Sequence, residues 1–214
     1  MNAIITRRAD SDTDLFRRYE IAGACHKGAG SPGPTIPDLV KTMGYVCPWC
    51  CTGTHSDFPV QYIHNGILVN MENWIRSGTL PPTADRILAT SSPIPVYPYL
   101  YVNMQRDAFG NAKGGVRTPY VDVPIKTYLP MSPACTYSSG CSSNPLCQAC
   151  SAWCVILGNM FPFDQATLKG LYQNHGGYVS KFVKNTQQLF KNGWVTEADM
   201  EIMKTKAAES AVLK

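Results

Sequence analysis

The rhythm of hydrophobic and polar positions changes several times along this chain. In RRYEIAGACH, residues 17–26, Tyr19 and Ile21 alternate with Glu20 and Ala22, and this period of two predicts a strand over 18–24. Gly23 and Gly28 then allow tight turns on either side of His26, which would stand on a loop at the strand's tip. At 59–77 the rhythm becomes helical. Ile63, Ile67, Met71, Trp74 and Ile75 fall on one stripe, with Asp57 placed as an N-cap and Pro59 in the first turn. Gly78 supplies the stop, and Pro81-Pro82 prevent a restart.

Two strand-like stretches follow, PVYPYLYVNMQ and GGVRTPYVDVPIKTY, on either side of a turn at 107–111. They predict a β-hairpin arm over 94–128, with alternation at Val116, Thr118, Tyr120 and Asp122 and with Pro119 and Pro124 confining the second strand to an edge. From 161 to 213 the pattern predicts three helices. Asp164 caps the first, Tyr178, Phe182, Val183, Leu189 and Phe190 stripe the second, and Thr196 and Asp199 form a capping pair for the third.

Composition changes this picture in two ways. Charged residues make up only 16%, below the usual quarter, and 17 glycines and 16 prolines point to a loop-rich domain rather than a bundle. The net charge of +4 is scattered, with Arg7-Arg8 and Arg17-Arg18 the longest basic runs, so no nucleic-acid or membrane-surface patch is expected. No run reaches the roughly 18 apolar residues of a membrane span, and the first residues lack the apolar stretch of a signal peptide.

The second change comes from cysteine. There are nine, at 25, 47, 50, 51, 135, 141, 147, 150 and 154, most of them in two long loops at 27–57 and 131–154. Such abundance favours an oxidising compartment, and the odd count leaves at least one thiol unpaired within the chain. Cys47-Pro-Trp-Cys50 and Cys147-Gln-Ala-Cys150 have zinc-ligand spacing, but the pairs are far apart and crowded by other cysteines. Disulfides are the better reading, and no metal or other cofactor is expected. CPWC falls in a loop rather than at a strand-to-helix junction, which argues against a thioredoxin-like role.

His26 is the candidate general base. A histidine base needs a nucleophile and an orienting carboxylate. The Gly-x-Ser-x-Gly elbow that presents a serine in α/β-hydrolases is absent, and Gly30-Ser31-Pro32-Gly33 has neither its spacing nor a preceding strand. His55, His64 and His175 show no ligand spacing and read as surface or local packing, and Arg117 and Asp122 could form an ion pair.

Taken together, RRYEIAGACH at 17–26, VQYIHNGILVNMENWIRSGTLPP at 60–82, RDAFGNAKGGVRTPYVDVPIKTY at 106–128, CVILGNMFPFDQATLKGLYQNHGGYVSKF at 154–182 and NGWVTEADMEIM at 192–203 resemble the C-terminal half of a large, often secreted α/β-hydrolase-domain family. The Gly-Gly-Val-Arg-Thr-Pro run with the following Val-Asp-Val-Pro is the most distinctive phrase. The resemblance implies an α/β fold in which residues 1–214 form a single partial α/β-hydrolase domain. Its parts would be a last-strand, histidine-loop and helix region at 18–77, the hairpin arm at 94–128, a cysteine-rich insertion at 131–154 and C-terminal helices at 161–213.

It also implies that His26 is the catalytic histidine of a serine-type ester or amide hydrolase acting on a small-molecule substrate in a full-length parent. The elbow and acid would lie before residues 9–12; Asp10, Asp12 and Asp14 are candidate substitutes for the acid, but they sit just before the histidine's own strand, whereas such an acid normally comes from the loop after the preceding strand. On this reading the chain alone is inactive and comes from a secreted parent. The alternatives are a disulfide-stapled binding or structural module without catalysis, and a zinc module. The residues specify no oligomeric state.

Overall fold

The computed structural model describes residues 3–4, 12–26, 54–96, 99–130 and 158–214, with strand placement alone for 3–4, 90–96 and 99–103. The elements in chain order are β1 (Ala3–Ile4), β2 (Thr54–His55), α1 (Gln61–Ser77), β3 (Ala89–Val96), β4 (Tyr99–Met104), α2 (Pro119–Asp122), β5 (Lys126–Leu129), β6 (Asn159–Pro162), α3 (Gln165–Tyr172), α4 (His175–Lys191) and α5 (Glu197–Glu209). The strands form two three-stranded antiparallel sheets, ordered β1-β4-β3 and β2-β6-β5. Helix and strand are thus mixed, but the strand pairs of both sheets are antiparallel, and among the described residues the parallel pairing expected of an α/β sheet is present only as the isolated bridge of Ile21 to Val116.

The strand expected at 18–24 shrinks to one parallel bridge, Ile21 to Val116. Two hydrogen bonds make it: Val116 N to Glu20 O at 2.7 Å and Ala22 N to Val116 O at 3.0 Å. Gly23 then turns with φ +87°, a conformation that ends any ladder. Side chains compensate for the short pairing. The Glu20 carboxylate accepts from Ile87 N at 2.7 Å, and the Tyr19 ring meets Trp194 edge-on at 5.0 Å.

Helix α1 forms where its periodicity predicts, and Gly78 closes it in the left-handed region at φ 71°. Two details differ from expectation. Asp57 does not cap it; the N-cap position is Val60, without a side-chain bond. The buried face is centred on Tyr62, Ile63 and Gly66, while Ile75 at the far end of the apolar stripe is 77% exposed. The cause is polar docking at the helix flanks. Asn65 donates to both Asp199 oxygens, Asn70 donates to Gly193 O at 2.7 Å, and Gly66 packs against the Trp194 carbonyl so closely that a Cβ would stand 2.2 Å from its oxygen. These contacts rotate the face that enters the core away from Met71 and Ile75.

The antiparallel strand pair expected in this region is β3 with β4, Val96 opposite Tyr99 and Ile94 opposite Tyr101. The turn at 107–111 also exists, built by Asp107 N to Asn111 O at 2.8 Å and the bridge Arg106 to Ala112. Residues 112–116 then run between neighbours, but the alternation expected through Asp122 gives way to helix α2. Pro119 starts a helical turn there, because its fixed φ suits the first helical position.

The three C-terminal helices follow the sequence pattern. Asp164 caps α3 by accepting from Thr167 N, Asn174 caps α4 from Gly177 N, and Thr196 caps α5 from Asp199 N. They close over a core in which Ile63, Phe182 and Met203 are fully buried, each worth about 1.5–3 kcal/mol by area. A second cluster gathers Ala22, Phe58, Val121 and Tyr128 next to the histidine turn. No helix among the described residues is long and apolar enough to cross a membrane.

Candidate functional site around the His26 turn

His26 is exposed at the end of the segment that pairs with Val116. The turn before it is fixed by contacts rather than by a sheet. Gly23 presses on the Phe58 ring, where an added Cβ would stand 2.8 Å from a ring carbon. Cys25, a free thiol, lies against Gly158 and Ser56. Burial pushes the Cys25 thiol up, and hydrogen bonds with the Ser56 side chain and the Gly158 backbone partly offset that rise. The histidine is therefore carried by a short, tightly seated turn that rests on the β2-β6 pair, where Ser56 N donates to Gly158 O at 2.9 Å.

Beside this turn lies a charged group that the sequence pattern does not reveal. Asp57 accepts from Lys126 Nζ at 2.8 Å and from the Tyr128 hydroxyl at 3.1 Å. Burial first, and then the adjacent Asp57 carboxylate, hold the Tyr128 phenol protonated far above its ordinary range. Asp57 follows β2, and Lys126 and Tyr128 lie on β5; both strands pair with β6, which brings together side chains 69 and 71 residues apart in sequence. His55 adds a ring Nδ1 that is buried without a hydrogen-bond partner among the described residues.

Arg117 is the other charged hub. Its guanidinium donates from Nε to Asp122 Oδ1 at 2.6 Å and from Nη2 to Asp107 Oδ2 at 3.0 Å, and Nη1 reaches the Ala112 carbonyl. Burial alone would pull Arg117 down, but the bonds to Asp122 and Asp107 outweigh it and raise it. The ion pair with Asp122 was legible in the sequence; Asp107 enters only through the turn at 107–111.

The remaining candidates are scattered. Asp12 accepts from Arg18 N at 3.2 Å and lies 3.8 Å from Arg86, Asp14 is exposed, and Asp10 lies outside the described residues. No hydrogen bond joins Asp12 or Asp14 to His26 among the described residues. Ser56, the serine seated beneath the turn, is fully buried and accepts from Phe58 N, so it is held as a structural group. His64 is exposed on α1, and His175 bonds the Val212 and Ala208 carbonyls at the C-terminus. The other eight cysteines, both Cys-x-x-Cys pairs and the Gly30–Gly33 run lie outside the described residues, and among the described residues no three His, Cys, Asp or Glu side chains gather as metal ligands.

The decisive comparison is with protein-family models. The model described as "Alpha/beta hydrolase domain" matches residues 1–205. The chain belongs to the alpha/beta hydrolase domain family. The match covers the histidine turn, both small sheets and most of α5, so one family description embraces all the elements around His26. No curated protein and no solved structure matches the chain.

Proposed function

We propose that this chain supplies the histidine of a serine-type ester or amide hydrolase site, with His26 as the general base that takes the serine proton and returns it to the leaving group. The observation that carries this reading is the seating of His26. It is solvent-facing, it follows a parallel pairing, and its turn is locked by Gly23 on Phe58 and Cys25 on Gly158. A base that must meet a small-molecule ester or amide needs both exposure and a fixed origin. The sequence contains no Gly-x-Ser-x-Gly, so the proposal assigns no nucleophile to these residues and expects no turnover by them alone.

The test is hydrolysis of short p-nitrophenyl esters, by this chain and by any longer product of the same gene that carries such an elbow. In the elbow-bearing protein, His26→Ala should lower kcat by about three or more orders of magnitude. Unchanged hydrolysis in that variant overturns the role of His26, as does turnover by this chain that survives the substitution.

One observation favours a second reading, a disulfide-stapled binding or structural module without catalysis. Cys25 is the free thiol among the described residues, and setting it aside leaves eight cysteines, three at 47–51 and five at 135–154. Both groups are odd, so complete pairing requires at least one bridge between the two loops. Alkylation of the native protein without reductant should then mark one cysteine. Nine alkylated cysteines refute the staple.

A further inference from the structure

The distinctive Gly-Gly-Val-Arg run lies directly behind the His26 turn, and its glycines are there to admit backbone. Gly114 and Gly115 have φ +73° and +72°, and a Cβ on them would stand 2.3 Å from Arg86 O and 2.5 Å from Glu20 O. Val116 then makes both hydrogen bonds of the parallel bridge, to Glu20 O and from Ala22 N. The histidine segment has no other ladder partner among the described residues. Val116 is therefore one support of the segment, setting where Ala22 enters the turn, beside the Phe58, Ser56 and Gly158 contacts that seat the turn itself before His26.

Arg117 holds Val116. Three edges of one planar guanidinium reach three separate places: Asp122 on α2, Asp107 in the turn at 107–111, and the Ala112 carbonyl at the start of the same run. Asp122 is in turn bonded by Asn185 on α4 at 3.4 Å, which extends the brace to the C-terminal helices. A lysine could satisfy one of these partners but not all, because its ammonium lacks the rigid fork. Resting on the assignment of His26 as the base, we infer that Arg117 is a positioning residue for His26, acting through Val116 and the parallel bridge rather than by contact with substrate.

The experiment reads the bridge and the imidazole directly, so it does not depend on turnover. Amide hydrogen exchange and the His26 ring signals in NMR spectra are compared for the wild-type chain and Arg117→Gln. The Ala22 and Val116 amides should exchange about tenfold faster or more, and the His26 ring signal should move, while amides in α4 and α5 keep their protection. Arg117→Lys should fall between the two. If Arg117→Gln does not fold, Asp122→Asn removes one arm of the brace and should produce the same changes at smaller size. Unaltered exchange at Ala22 and Val116 with an unmoved His26 signal overturns the inference. Equal loss of protection in α4 and α5 also overturns it, because Arg117 would then support the whole domain rather than the histidine. Failure of the hydrolysis test with these shifts intact would sink the base assignment and leave the brace standing.

Discussion

Gly158→Ala probes the seat of the candidate base most directly. Gly158 does not have a positive φ, so alanine meets no backbone strain there. It meets Cys25 instead: the new Cβ would stand 2.4 Å from the Cys25 sulfur, 2.5 Å from its Cβ and 2.9 Å from the Ser56 Cβ. Non-bonded carbons are comfortable at about 3.5–4.0 Å, so the overlap is on the order of 1 Å. A sulfur alone could swing aside, but the Cys25 Cβ moves only with its backbone, and Ser56 is fully buried behind it. Overpacking of this kind costs about 1–3 kcal/mol, and immovable neighbours put this case at about 2–3 kcal/mol. In a chain of this size that lowers Tm by about 4–12 °C. Urea denaturation gives the free energy, and a double-mutant cycle with Cys25→Gly tests its origin. Removing Cys25 Cβ and sulfur should recover at least about 1 kcal/mol of the Gly158→Ala loss. A Gly158→Ala protein within about 0.5 kcal/mol of wild type would refute the packing of the histidine turn on β6. So would a cycle showing no coupling.

Two further predictions set competing effects against each other. Alanine is the better helix former by about 1 kcal/mol, so Gly170→Ala, with nothing within 4 Å of its new Cβ, should stabilise by about 0.5–1 kcal/mol. Gly66→Ala sits in a helix too, but its Cβ would lie 2.2 Å from the Trp194 carbonyl oxygen, and it should destabilise by about 1–3 kcal/mol in the same assay; equal signs for the two variants would contradict the docking of α1. The third concerns alkaline pH. Burial raises the Tyr120, Tyr128 and Tyr172 phenols, and Tyr178 is pushed up to about 12. A phenol raised in the folded state contributes stability below the unfolded value of about 10 and loses it as pH climbs through the folded one, about 3 kcal/mol for Tyr178. Tyrosinate absorbance should therefore show a group of tyrosines that ionise only as the chain unfolds above pH ~10; smooth titration of all tyrosines near their ordinary value would count against the buried cluster.

The sequence by itself determined what local chemistry can determine. The span of α1 and its Gly78 stop, the three C-terminal helices and the Asp164 and Thr196 caps rest on periodicity and on side chains that bond a backbone amide three residues away. The family, too, was legible, because its phrases are contiguous. Tertiary structure decided the rest. Asp57 looks like a helix cap until β2 and β5 bring Lys126 and Tyr128 to it. The alternating run after Val116 looks like strand until Pro119 starts a turn of helix that gives Arg117 its Asp122 partner. The stripe of α1 looks buried to its end until Asn65, Gly66 and Asn70 choose a different face. His26 was identifiable as a candidate from its residue type and flanking glycines. Its seat on Phe58, Ser56 and Gly158 was not, because those partners lie 30 or more residues away in sequence and only the folded chain brings them to it.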